Sequence, residues 1–313
     1  MRSVSSDNFV VVDTTEEARV IGETDFTSGP TTLHPKAIYI VEGKLYQVER
    51  FDFDGRKAFV REIDCDYYTT AITYSKVTPI DTFETLGAPG LQSSVRSHGE
   101  VHVVSRVVGF KKIKFYTNEN VGSGELDLPE QQMHTTAYWL TVPASVMALL
   151  PYAADDRRDG VVGLAFALKQ VAQLLLMCDG HDIGISISGL AVRESGFGLD
   201  TPGFANPVSP VTDPDGVKVY VYDNYPGGIG FSAPLFQMHG ELVRGTRHLI
   251  ADCQCDSGCP GCVGPIGYTG PLAKVAALRI LDLLLAAEDT KETEETEDTK
   301  DVKRIADVEA EAL

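Results

Sequence analysis

Residues 253–262 read CQCDSGCPGC, so four of the six cysteines in this 313-residue chain fall within ten positions. Thiolates are soft, strongly binding metal ligands, and zinc takes them in a tetrahedron built from two chelating pairs. Cys259-Pro-Gly-Cys262 has the two-residue gap of a standard half-site, in which a turn places both sulfurs on one side. Cys253-Gln-Cys255 supplies the other pair, and Asp256-Ser257-Gly258 provides the reversal between them. Gly261 and Gly264 are expected to relieve crowding around the sulfurs. Four soft ligands with no open position describe a closed, structural Zn2+ site on Cys253, Cys255, Cys259 and Cys262. Three readings compete with zinc. An iron–sulfur cluster also takes four cysteines. A pair of disulfides would need an oxidising compartment. Chance clustering in a core sits badly with the Asp, Ser, Gly and Pro around these thiols.

The compartment bears on that choice. The N-terminus, MRSVSSDNFVVVD, carries a three-valine run too short for a signal-peptide core. The most apolar stretch, 161–178, is interrupted by Lys169, Gln170 and Gln173 and reads as a buried helix rather than a membrane span. The expectation is a cytoplasmic chain with no membrane partner, where clustered cysteines favour metal over disulfides. Cys65 and Cys178 stand apart, in strand or apolar contexts, as small buried hydrophobes.

Other chemistry is thinner. No G-x-x-x-x-G-K-[ST] and no G-x-S-x-G occurs, so the sequence holds neither an ATPase phosphate loop nor a nucleophile elbow. Asp223-Asn-Tyr-Pro-Gly-Gly-Ile-Gly follows a strand and precedes a helix. Its Gly-Gly pair could hold an anion, but a tight strand-to-helix corner is the favoured reading. His134, Asp179, His181, Asp182 and Asp223 could build a hydrolytic centre, though no spacing ties them together; Asp179 to Asp182 most simply caps one element and opens the next. One basic strip is interleaved with aromatics: Arg106, then Phe110-Lys111-Lys112-Ile113-Lys114-Phe115. On a strand, Lys112 and Lys114 share a face and Lys111 lies opposite. Such a strip could contact phosphates while the rings pack or stack. The net charge of −18, of which −7 sits in residues 288–313, argues against a whole surface that wraps nucleic acid but leaves a local strip open.

These motifs must be carried by an α+β fold. Residues 8–90 alternate as strands, with Glu42-Gly43 and Asp54-Gly55 at hairpin turns, and predict a small β-barrel-like module over 1–90. A Gly/Ser/Pro-rich stretch, 84–99, reads as a linker, and strands resume over 100–116 and up to Pro143. A mixed α/β zinc-binding domain is expected over 91–287. It contains an apolar helix at 160–178, a strand at 182–189, a Gly/Pro-rich loop at 195–216, a strand at 217–223, a helix near 230–250 whose first turn admits Pro234, and a last helix starting at Pro271. Residues 288–313 form an acidic tail, helical or disordered.

Taken together, YDNYPGGIGFSAPLF and CQCDSGCPGCVGP resemble the zinc-binding C-terminal domain of MrfA-type DEAD/DEAH-box helicases. Upstream segments, among them LHPKAIYIVEGKLYQVE, VVGFKKIKFYTNENVG, LDLPEQQMHTTAYWL and LLLMCDGHDIGIS, are similar in the same order, from about residue 8 to 287. The resemblance implies zinc on the four clustered cysteines and a place in an ATP-driven DNA-unwinding machine concerned with DNA repair, whose motor domains lie N-terminal to this region. It also implies a histidine in the apolar helix where this chain has Phe166. The expected function is a non-catalytic zinc-binding module or subunit of a DNA helicase. Its expected partners are the helicase motor domains, or a separate helicase subunit, and single-stranded DNA, with Arg106, Lys111, Lys112 and Lys114 as phosphate contacts. Two alternatives remain open. One is a protein-interaction scaffold of a phage-defence complex, by analogy with the family; the other is a free-standing metal-dependent hydrolase.

Overall fold

The computed structural model of the chain describes residues 7–87, 95–190, 216–264 and 269–286. Strands and helices are both abundant and largely segregated along the chain, which makes the fold α+β. The acidic tail and almost all of the expected loop at 195–216 lie outside the described residues. The described residues fall into two compact units. The first comprises 7–76 and 103–133, and the second 77–102, 134–190, 216–264 and 269–286.

The first unit opens with β1 (Asn8–Asp13), β2 (Arg19–Asp25), the single-turn α1 (Gly29–Thr32), β3 (Ile38–Val41), β4 (Lys44–Asp52) and β5 (Lys57–Glu62). These five strands form one sheet in the order β2-β1-β5-β4-β3, with β1 and β5 parallel and the other neighbours antiparallel. Both predicted turns are present. Glu42 and Gly43 have φ of 51° and 77°, the left-handed pair that a two-residue hairpin needs. Gly55 N–H donates to Asp52 Oδ1 at 2.8 Å, closing the second turn. The core of this sheet is aromatic, with Phe9 ringed by Phe26, Phe51 and Phe53 at centroid distances of 4.9–5.9 Å. The Arg56 guanidinium lies 4.4 Å from the Phe26 ring centre and also pairs with Asp7. Gly29 is required there, because a Cβ would fall 2.3 Å from the Phe9 ring.

The chain continues through β6 (Tyr67–Leu86), β7 (Val95–Lys114), β8 (Asn120–Glu125) and β9 (Gln131–Val142). The second unit adds α2 (Ala144–Ala148), α3 (Ala154–Leu176), β10 (Ile183–Ser188), β11 (Val217–Asp223), α4 (Ser232–Gln237), α5 (His239–Ala251) and a last helix, α6, over 273–286. The second sheet has the order β10-β11-β9-β7-β6, with β8 on β7. Residues 84–99, expected as a linker, are strand on both sides: β6 runs to Leu86 and β7 begins at Val95. The Gly and Ser content misled there, because Ser97 and Gly99 are buried strand residues.

In β9 and β11 the residues Tyr138, Leu140 and Val142, and Val217, Val219 and Val221, alternate onto the core. Trp139 and Tyr220, on the opposite face, are buried against each other. Both faces are therefore covered, which explains the near-continuous apolar reading of these strands. The side packed with helices gathers α3, α5 and α6 through Leu164, Leu168, Leu242, Ile250, Ile280 and Leu284. Helix α3 starts six residues before its predicted start because Asp155 and Asp156 in its first turn favour a helix N-terminus, a signal that hydropathy does not carry. It ends on Met177 in the left-handed region. Among the described residues it is the one helix long and apolar enough to cross a membrane, and it is packed in this core. The helix expected near 230–250 divides at Met238 into α4 and α5, with Pro234 in the first turn of α4.

His34, in the first unit, is fully buried and stacked on Phe110. Its Nδ1–H donates to the Pro35 carbonyl at 3.0 Å, and Nε2 has no partner. Burial therefore holds the ring below its ordinary pKa and favours its neutral form in the fold. Once unfolded, His34 takes up a proton below about pH 6.5. Its contribution to stability is complete above that pH and lost as pH falls toward the folded value, at no more than about 1.4 kcal/mol per pH unit. Urea midpoints measured between pH 7.5 and 5 should fall more steeply for the wild type than for His34→Leu. Parallel curves would contradict this.

Candidate metal centre

Helix α5 ends at Ala251 and is capped by Asp252, and residues 253–264 then bring the cysteines together without regular secondary structure. Cys262 N–H and Gly264 N–H both donate to the Cys259 carbonyl, at 3.0 and 3.1 Å, and fold Cys-Pro-Gly-Cys into a tight knuckle. Gly258 and Gly264 have φ of 140° and 101°, where an L side chain is strained, so these two glycines set the path. Gly261, expected to relieve crowding, has room to spare: a Cβ there would lie in ordinary contact, 3.7 Å from Cys259 Sγ.

The four sulfurs meet. Cys253 Sγ lies 3.5 Å from both Cys255 Sγ and Cys259 Sγ, and Cys262 Sγ lies 3.4 Å from Cys255 Sγ and 3.7 Å from Cys259 Sγ. All four fall within 4.8 Å of one another. Zinc–sulfur bonds of about 2.3 Å in a tetrahedron put the sulfurs about 3.8 Å apart, so the set suits one zinc ion. A disulfide needs about 2.05 Å, so none is formed among the six cysteines. A multi-iron cluster would hold its ligand sulfurs farther apart than a single ion does. Among the described residues this is the one group of three or more His, Cys, Asp or Glu side chains able to share an ion.

The thiols differ in their surroundings. The Cys255 backbone N–H and the neighbouring thiols lower the Cys253 thiol to about pKa 7. Cys262 is fully buried, and loss of water together with the adjoining thiol of Cys255 pushes it up to about 12. An ion at the centre removes this conflict by binding all four as thiolates.

Two helices hold the loop in place. On α3, Gly163 leaves room for Val263, since a Cβ would lie 2.9 Å from that side chain's Cβ. One turn earlier, Gly160 does the same for Ala276 of α6, at 2.6 Å. Asp159, buried on the same helix, accepts the Gly270 N–H at 2.8 Å. Phe166 stands where a histidine was expected, and a Cβ added at Gly264 would lie 3.6 Å from its ring. From α6, Lys274 Nζ donates to the carbonyls of Cys253 and Cys255, at 2.7 and 2.5 Å. Spacing arguments do not find Lys274; its one sequence signal is a charge inside the apolar run PLAKVAALRIL.

The other candidates do not assemble. Asp223 is buried, and its Oδ2 accepts the backbone N–H groups of Ile229 (2.7 Å), Gly230 (3.0 Å) and Phe231 (3.4 Å) and the Thr136 hydroxyl (3.1 Å). The PGGIG corner thus encloses an internal carboxylate instead of an external anion. Gly228, at φ 73°, passes so close that a Cβ would lie 2.5 Å from Thr136 Oγ1. Asp179 Oδ1 accepts the His181 backbone N–H, while Asp182 accepts from the Asp179 N–H and the Tyr225 hydroxyl, a set of turn bonds as expected. The His134 ring packs edge-on against His102. Cys65 donates to the Tyr67 carbonyl, and burial raises the Cys178 thiol.

All four residues of the basic strip lie on β7. Arg106 is bound to Asp127 and donates to the Leu128 carbonyl at 3.1 Å. Lys112 Nζ sits 4.8 Å above the Tyr67 ring, and Lys114 Nζ lies 3.8 Å from Asp66. Phe110 is buried against His34, and Phe115 packs on Tyr68.

Comparison with known proteins joins this geometry to a family. Residues 164–263, which contain all four cysteines, match the family model of the MrfA Zn-binding domain. The match takes in about a third of the chain. The chain is 34% identical over 264 residues to an ATP-dependent helicase of Bacillus subtilis, YprA, covering 83% of this chain and 32% of the relative. It is 23% identical over 266 residues to the ATP-dependent helicase HRQ1 of Saccharomyces cerevisiae, covering 83% and 23%. A crystal structure of the DUF1998 helicase MrfA bound to DNA superposes with a TM-score of 0.57 at 32% identity, covering 90% of this chain and 34% of that one. A further crystal structure of MrfA superposes at 0.56 and 27% identity, covering 90% and 35%. The chain therefore spans about a third or less of the length of these relatives. Zinc is the cofactor of the MrfA Zn-binding domain, and the four-cysteine cluster suits it.

Elemental analysis of the purified chain should find one zinc per chain. Cys259→Ser should lose most of it, while Cys65→Ser and Cys178→Ser retain it. Because structural zinc contributes on the order of 10 kcal/mol to folding, Cys259→Ser should also lose the cooperative melting of the second unit. Full zinc content in Cys259→Ser would remove that cysteine from the site.

Proposed function

We propose that this chain is the zinc-stabilised, non-catalytic part of an ATP-dependent DNA helicase acting in DNA repair. Its ion is held by Cys253, Cys255, Cys259 and Cys262. The observation that carries this reading is the meeting of four sulfurs within 4.8 Å inside the segment that matches the MrfA Zn-binding domain. The absence of a phosphate-cradling loop supports a module that takes its motor from other domains or another subunit. The zinc loop is pinned to helices α3 and α6 and has no open ligand position, so its role is to brace. The five-stranded sheet, with its own aromatic core around Phe9, supports the reading of a small barrel-like module near the N-terminus.

Single-stranded DNA is the proposed nucleic-acid partner, with phosphate contacts from Lys111, Lys112, Lys114 and Arg106. The similar helicase MrfA has been crystallised bound to DNA, which favours DNA contact over a pure scaffold. Lys112 and Lys114 hold their intramolecular partners loosely, at 4.8 and 3.8 Å, and can exchange them for phosphate.

Binding of a fluorescent single-stranded oligonucleotide, measured across a salt series, tests this. Lys112→Gln with Lys114→Gln should weaken binding similarly for all sequences. It should also flatten the plot of log affinity against log salt by roughly 0.7 for each phosphate no longer neutralised. An unchanged slope would remove the strip from the interface. Retention of a helicase partner with no DNA affinity would move the reading to the interaction scaffold.

A further inference from the structure

Lys274 occupies a position where a lysine is disfavoured in three ways. It is 92% buried, since only 8% of its surface is exposed. It lies in the first turn of α6, where the helix dipole repels a cation. No carboxylate among the described residues pairs with it; its hydrogen bonds go to the carbonyl oxygens of Cys253 and Cys255. Buried ammonium groups are costly unless a negative charge offsets them. The negative charge at hand belongs to the residues it touches. Four thiolates around one divalent zinc leave the site with a net charge of −2.

We propose that Lys274 is the counter-cation of the zinc site and the residue that positions its first chelating pair. This rests on the zinc reading of the four cysteines. The sequence gap between Cys253 and Cys255 is one residue, shorter than the Cys259–Cys262 gap, so that pair has no knuckle of its own. Lys274 supplies the missing restraint by gripping both carbonyls from one ammonium group, while its charge stabilises the thiolates. Zinc retention then depends on α6, which lies outside the 164–263 stretch matched by the family model. Residues that orient or polarise metal ligands from behind are worth about 10- to 100-fold in metal affinity.

The test uses the full chain and three variants: Lys274→Arg, Lys274→Gln and Lys274→Met. Zinc release to excess colorimetric chelator is followed in time, and thermal midpoints are measured with zinc loaded and after its removal. Lys274→Met should release zinc at least about tenfold faster than wild type. Lys274→Gln, which keeps a donor but no charge, should fall with Met, and Lys274→Arg should stay near wild type. The midpoint should drop in the zinc-loaded Met and Gln variants, with little change between the zinc-free proteins. Equal release rates in wild type, Gln and Met would overturn the proposal. So would an equal drop in midpoint with and without zinc, which marks a packing role alone. A wild-type chain that binds no zinc would overturn the zinc reading itself, and this inference with it. If Lys274→Met does not fold, the comparison of Gln with Arg decides.

Discussion

A twelve-residue loop with three glycines and one buried valine cannot hold a shape through its own apolar contacts. Residues 253–264 bury Val263 and the Cys262 side chain and little else that is apolar. Their order comes from four sulfurs converging on one point, and that convergence constrains much around it. Left as thiols, two of them have opposed tendencies: Cys253 is pulled toward ionisation and Cys262 away from it. A divalent ion binds all four as thiolates and turns crowding into bonding. The neighbouring helices are shaped to this end. Glycines at 160 and 163 on α3 let Ala276 and Val263 approach more closely than any side chain would allow. In an otherwise well-packed helix each costs about 1 kcal/mol relative to alanine, and close packing with the loop and with α6 offsets that.

The same unit shows how a glycine-rich turn can be read two ways. The PGGIG corner has the backbone of an anion-binding nest, and it does bind an anion, but that anion is Asp223. That carboxylate accepts three backbone N–H groups and a threonine hydroxyl, all at Oδ2. It anchors the end of β11 to the start of α4, upstream of the helix that delivers Cys253. Asp223 and Lys274 are thus opposite solutions to one problem. Each is a buried charge, the first met by backbone donors and the second by backbone acceptors.

The thiol site was legible because its information is local: residue type and spacing within ten positions decide it. The hairpins at Glu42-Gly43 and Asp54-Gly55, the strands 183–188 and 217–223, and the core helix were legible for the same reason, through turn chemistry and periodicity. What was hidden depends on partners far away in sequence. Residues 84–99 read as a linker because Ser97 and Gly99 look like loop residues, yet both are buried between strands. β8, with the sequence NVGSGE, has almost no apolar signal and is a strand because β7 pairs with it. The first turns of α3, Asp155 to Asp159, are charged and helical through charge at the N-terminus. Lys274 stood out only as a charge in an apolar run, because its partners are main-chain carbonyls about twenty residues upstream and no side-chain pattern announces a backbone acceptor.

Whether a chain of net charge −18 can present a cationic strip is a question of distance, not of totals. At physiological salt, exposed charges more than about 8 Å apart are largely screened. The potential over β7 is therefore set by its immediate neighbours. Those neighbours rank the strip. Arg106 is only a quarter exposed, is tied to Asp127 and also donates to a carbonyl, so releasing it for a phosphate costs two bonds. Lys114 faces Asp66 across 3.8 Å with both side chains exposed, a pairing worth no more than about 1 kcal/mol. Lys112 rests on a tyrosine face and, among the described residues, keeps its protons for other acceptors. The burial of Phe110 removes one of the rings that a stacking interface would use. On this ordering the proposed phosphate contacts would form first at Lys112 and Lys114, and Arg106 would join only at the cost of its bonds to Asp127 and Leu128.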